Sequence, residues 1–133
     1  MTAPGPQHPE KVLRDDERRR RQKRHKHGHW SEYIAAAVLR FKGYRILARR
    51  FRSGSGEIDL IVSRGRRVAF VEVKQRRSFE EAEVSISDKQ RQRIRNAADV
   101  WLARHPPDIT HDICFDVLFV VPWHLPRHIE NVL

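Results

Sequence analysis

Strands and helices alternate along this sequence, which predicts a domain of mixed α and β structure. Three observations predict it. Residues 56–74, Gly-Glu-Ile-Asp-Leu-Ile-Val-Ser-Arg-Gly-Arg-Arg-Val-Ala-Phe-Val-Glu-Val-Lys, place two β-branched apolar runs on either side of a short basic turn. Segments with apolar residues at helical spacing lie before and after that hairpin. A further apolar run at residues 114–121 has the length and composition of a buried strand.

Composition limits the rest. With 133 residues and 39% hydrophobic content, the chain can build one domain with a modest core, plus tails. Its formal charge of +10 points to a polyanionic partner, nucleic acid before an anionic membrane. No apolar run is long enough to span a bilayer, and no secretory signal precedes the first charged residues, so a cytoplasmic protein with no membrane partner is expected. Cys114 is the only cysteine, which forbids an intrachain disulfide and fits a reducing compartment. It reads as a small buried hydrophobe.

The first ten residues are rich in Pro and Gly and read as disordered. Residues 11–26 contain nine Lys or Arg against three acids, a net of +6, with Arg19, Arg20 and Arg21 at the centre. Residues 1–27 are therefore expected to form a basic arm that contacts phosphates, or a solvated tail, and residues 28–133 the folded domain. His25, His27 and His29 alternate here, but no cysteine or carboxylate completes a usual metal set.

Trp30, Ile34, Val38 and Phe41 recur at helical spacing, which predicts a helix over residues 28–42 that buries this stripe and stops at Gly43. Glu32 lies off the stripe, beside Ala35, Ala36 and Leu39, small residues that would allow close approach to a sheet. Residues 44–52 read as a strand with Ile46 and Leu47 inside, and Ser53-Gly54-Ser55-Gly56 as the turn into the hairpin. Residues 76–83 read as a polar loop. Ser87 and Gln90 make a capping box for a second helix reaching about His105, buried through Ile94, Ala97, Ala98, Trp101 and Leu102. Lys89, Arg93 and Asn96 share another face, suited to a sugar-phosphate backbone or simply to water. Pro106-Pro107 ends the helix, one acid (Asp116) interrupts the last apolar strand, and residues 127–133 add an edge strand or a loose tail.

The hairpin carries the chemistry. Gly65-Arg66 suits a two-residue type II′ turn, which sets Arg64 opposite Arg67, Ile61 opposite Phe70, Asp59 opposite Glu72 and Glu57 opposite Lys74. Period-two alternation then makes one face apolar, with Ile58, Leu60, Val62, Ala69, Val71 and Val73, and puts Glu57, Asp59, Glu72 and Lys74 together on the other. Opposed carboxylates repel, and burial sharpens the conflict. A divalent cation such as Mg²⁺ would remove it, and a lysine on the same face can orient or help deprotonate an attacking water. These are the parts for metal-assisted phosphodiester hydrolysis; the alternative is an ordinary hairpin with solvated polar groups.

Asp59 followed by Glu72-Val73-Lys74 resembles the core signature of the PD-(D/E)XK nuclease superfamily. More closely, the chain resembles the YraN family of bacterial proteins, which have a Holliday-junction-resolvase-like fold. The matching elements are Glu32 in its helix, Gly43-Tyr44, Gly56-Glu57-Ile58-Asp59-Leu60-Ile61, Phe70-Val71-Glu72-Val73-Lys74 with Arg76, Lys89, and Phe115-Asp116. The chain departs from the family at Cys114, where Arg is usual, at Glu80, where Gly is usual, and in its basic N-terminal extension. The resemblance implies a restriction-endonuclease-like α/β fold, a central mixed β-sheet flanked by α-helices. It implies a catalytic set of Asp59, Glu72 and Lys74, with Mg²⁺ or Mn²⁺ held by Asp59 and Glu72 and joined by Glu32 and Glu57. Arg76, Lys89 and Arg93, with the arm, would contact phosphates. The expected function is endonucleolytic cleavage of DNA, including branched or structured DNA in repair or recombination; RNA stays open as a partner, and resolvases suggest a homodimer. The rivals are a non-catalytic nucleic-acid-binding module on the same fold and a structural or adaptor protein.

Overall fold

The fold grows from the hairpin. In the computed structural model, which describes residues 30–83, 86–108 and 110–133, strands β2 (Gly56–Arg64) and β3 (Arg67–Gln75) pair antiparallel with Arg64 opposite Arg67 and Ile61 opposite Phe70. Gly65 takes φ +58°, whereas Arg66 is not among the positive-φ residues, as a type II′ turn requires. Strand β1 (Arg45–Ser53) adds to the free side of β2, and β4 (Asp112–Val120) runs parallel to β3. The edge strand β5 (Arg127–Ile129) pairs antiparallel with β4. Among the described residues these strands form one mixed five-stranded sheet in the order β1-β2-β3-β4-β5.

A helix covers each face. Residues 30–41 form α1, which ends in a Schellman motif: Gly43 at φ +93° lets Tyr44 N–H reach Leu39 C=O at 2.9 Å and Gly43 N–H reach Arg40 C=O at 3.0 Å. Helix α3 (Asp88–Arg104) covers the other face through Ile94, Ala97, Ala98 and Trp101. A short helix, α2 (Phe79–Glu83), lies within the segment expected to be loop. No described helix is long and apolar enough to cross a membrane. The result is a restriction-endonuclease-like α/β arrangement.

Three further expectations need correction. Helix α1 buries its expected stripe only in part: Trp30 is 67% and Phe41 94% exposed, Ile34 and Val38 are half-buried against the core, and Ala35, Ala36 and Leu39 are buried against Leu60, Val62, Ala69 and Val71. Ala35 and Ala36 let the helix backbone approach the sheet, and the aromatic ends of the stripe are turned outward. Leu47 is exposed because β1 has a bulge between Ile46 and Ala48. Ile58 packs with Ile61 and Phe70 under α3 rather than with Leu60 and Val62 under α1.

That last correction has a specific cause. The β2–β3 ladder stops at Leu60 and Val71, and the β1–β2 ladder skips the level between Arg49–Leu60 and Phe51–Ile58, where Arg50 would face Asp59. Arg50 sits there at φ +49°. Both strands turn over at this level, so residues on either side of Asp59 change faces.

Candidate active site

Asp59 lies at the turn-over, where β2 leaves β3. Its Oδ2 accepts Val73 N–H at 2.7 Å, so a side chain stands in for the missing ladder bond. Strand β3 stays regular and carries Glu72 and Lys74 on the side of Phe70. The Glu72 carboxyl lies close enough to Asp59 for its charge to act on it. Lys74 Nζ lies 3.4 Å from Glu72 Oε1. Gln90, at the start of α3, donates its Nε2 to the same oxygen at 2.9 Å.

These contacts set the charge of the pair. Burial, then the Glu72 charge, pushes Asp59 up to about 8, against the pull of the Val73 N–H and with a smaller push from Glu32. Burial also raises Glu72, opposed by Lys74. Near neutral pH the pair therefore keeps a proton that exposed carboxyls would have released, with Asp59 holding it.

The other expected residues are more dispersed. Glu32 accepts from Arg50 Nε at 2.5 Å, close enough to Asp59 to act on it electrostatically. Glu57 is exposed, 3.6 Å from Arg52. Among the described residues no three His, Cys, Asp or Glu side chains form a metal-holding group. Lys89 and Arg93 line an open cleft of about 300 Å³ together with Glu57, Glu72, Ser87, Gln90 and Ile94. The half-buried Arg76 donates its N–H to Val120 C=O at 3.2 Å and its Nη1 to Gln75 C=O at 2.6 Å. Arg19, Arg20 and Arg21 lie outside the described residues, as do the alternating histidines.

Two features had little or no sequence signal. Gln90 completes only half of a capping box: Ser87 Oγ accepts its N–H at 3.2 Å, but its side chain turns to Glu72. Asp116, fully buried on the α1 face, accepts both Arg67 Nη atoms at 2.6 Å, Asn131 N–H at 2.8 Å, and a hydrogen bond with His128 Nε2 at 2.8 Å. Arg67 also donates to Tyr44 Oη at 2.9 Å. Burial alone would raise Asp116, but His128, Arg67 and the Asn131 amide outweigh it and bring the carboxyl down to about 2. The lone acid in an apolar strand was the visible part of this structural anchor; its partners are 12 to 49 residues away.

Comparison with known proteins agrees with the motifs. Residues 31–120 match the model of the uncharacterised protein family UPF0102. A UPF0102 protein from Mesorhizobium japonicum is 51% identical over 111 residues, covering 84% of this chain and 89% of its own length. Another from Nitrobacter winogradskyi is 52% identical over 99 residues, covering 74% and 84%, and one from Methylorubrum extorquens is 48% identical over 112 residues, covering 84% and 88%. With the family model matched along most of the sheet and its helices, and relatives this similar over most of its length, the chain belongs to family UPF0102.

Proposed function

We propose that this protein is a divalent-metal-dependent DNA endonuclease of the cytosol, with Asp59, Glu72 and Lys74 at its centre. The observation that carries the reading is the half-buried Asp59 beside the buried Glu72, with the Lys74 amine 3.4 Å from Glu72 and burial raising both carboxyls. Two neighbouring carboxylates, both raised by burial, are hard oxygen donors that fit Mg²⁺ or Mn²⁺ and would give up a proton on binding it. Asp59 and Glu72 would hold the ion, with Glu32 and Glu57 near enough to contribute to the field rather than to a tight cage. When bound, such an ion polarises the phosphodiester and stabilises the charge that develops on it. Lys74 presents N–H donors that orient the attacking water and a phosphate oxygen. Gln90 and the Val73 amide hold one oxygen each of Glu72 and Asp59, which keeps the pair from rotating apart. Lys89 and Arg93 on the cleft wall, with Arg76 beyond the end of β3, supply phosphate contacts.

The engagement of Glu32 by Arg50 favours a second reading, a nucleic-acid-binding module that has kept the fold without the chemistry. Lys74 separates the two. On a panel of branched, nicked and single-stranded DNAs with Mg²⁺ or Mn²⁺, Lys74→Ala should lower the cleavage rate about a hundredfold or more. Its DNA affinity should change by only about 1 kcal/mol, since one cation among many is lost. Asp59→Asn should abolish metal-dependent cleavage. Wild-type protein that cuts nothing, or cuts no faster than these variants, would leave the binding module as the better reading.

A further inference from the structure

The loop between β4 and β5 presents a side chain that the local backbone does not favour. Val121-Pro122-Trp123-His124 closes a turn through His124 N–H to Val121 C=O at 3.2 Å, with Trp123 at φ +66°. Proline at the second position and positive φ at the third are the signature of a type II turn, whose third position belongs to Gly or Asn. A bulky residue there is strained. Trp123 is nevertheless fully exposed, and its indole stacks on no ring and covers no cation among the described residues. Leu125, two residues on, is 88% exposed. Pro122 and Pro126 bracket the loop and limit its conformations.

The position of this loop indicates what it meets. Strands β3 and β4 run parallel, and Gln75 pairs with Val120, so Trp123 projects from the end of the sheet to which Lys74 belongs. Cations share this end of the sheet with the α2 acids Glu80 and Glu81. The Arg127 guanidinium lies 4.0 Å over the Phe79 ring, whose other neighbour is His124 at 5.5 Å, and Arg76 is tied to Val120. One indole and one leucine offer too little apolar area for a stable protein interface or a lasting membrane anchor. A single flat ring beside cations matches an unpaired nucleobase next to its phosphates.

We infer that Trp123 is a base-stacking platform, and that the protein engages DNA through a single-stranded segment rather than a continuous duplex. Bases inside a duplex are already stacked, so a rigid indole gains most from a base at a flap, gap, branch or free strand. The inference rests on the nuclease reading for the direction of the substrate, but not for binding itself.

The test uses the full chain with EDTA, so that binding is read without cleavage. The probes are a labelled single-stranded oligonucleotide, a blunt duplex of equal length, and vesicles of phosphatidylserine and phosphatidylcholine. Trp123→Gly should weaken single-strand binding about fivefold to a hundredfold, the range for one stacked base. Duplex binding, dominated by phosphates, should change less than about twofold. Trp123→Phe should retain most of the single-strand affinity. Because Gly suits the turn, the Tm of Trp123→Gly should be unchanged or raised; Trp123→Asn, which also tolerates positive φ, serves if that variant fails to fold. Equal single-strand binding by wild type and Trp123→Gly, equal loss on both DNAs, or vesicle binding that depends on Trp123 would each overturn the inference. A selective loss in a protein that cleaves nothing would leave it standing and remove the hydrolase, whereas cleavage with no Trp123 effect would do the reverse.

Discussion

Asp59 and Asp116 lie in the same sheet and titrate in opposite directions, because their neighbours differ. Asp116 is met by a guanidinium, an imidazole and an amide, and falls to about 2; Asp59 is met by burial and a second carboxylate, and rises to about 8. The consequence for stability has a definite sign. Between the ordinary Asp value of 3.8 and about 8, the folded protein retains a proton at Asp59 that the unfolded chain has released. Folding stability contributed at this site is therefore greatest at low pH and is lost as pH rises towards 8. Asp59→Asn should remove that slope: its Tm should exceed that of wild type by more at pH 8 than at pH 5, read by calorimetry without divalent ions. A gap independent of pH would show that the carboxyl is not held protonated. Asn can still accept the Val73 N–H, so the comparison isolates charge from shape.

At the scale of elements, Gly56 controls how close α3 comes to the sheet. A Cβ there would lie 2.0 Å from the Arg93 carbonyl oxygen and 2.7 Å from its carbon, both backbone atoms that cannot rotate away. Gly56→Ala should cost about 1–3 kcal/mol in urea denaturation, typical of overpacking. It should also weaken cleavage, because moving α3 pulls Gln90 from Glu72. The elements were unequally legible in the sequence. The hairpin register could be read because Gly65 fixes the turn, and the α3 stripe because its apolar spacing met no competing pattern. Helix α1 was misread in part, since Trp30 and Phe41 were counted as buried where Ala35, Ala36 and Leu39 face the sheet. The meeting of Asp59 with Glu72 was anticipated from unbroken alternation, but the strands reach it by turning over at Arg50, a positive-φ arginine that no glycine announces. Gln90 and the partners of Asp116 left no signal because their contacts close over long sequence separations.

Over the whole molecule, charge is unevenly distributed. The segment over residues 11–26 holds +6 of the formal +10. Deleting residues 1–27 should weaken DNA binding about equally across sequences and flatten the log–log salt dependence by up to roughly five units. An unchanged slope, measured by titration at several salt concentrations, would show that these charges do not reach the DNA. The Asp59–Val73 bond has a consequence for descent as well. One carboxylate oxygen closes a gap in the sheet, so selection for a stable fold would keep a hydrogen-bond acceptor here even in a lineage that had given up cutting DNA. Within such a lineage Asp59 could drift to Asn at little cost, while Lys74, which supports no backbone and answers only to Glu72, would be held less tightly. If the proposed cleavage holds, the lysine is thus the better marker of relatives that keep it.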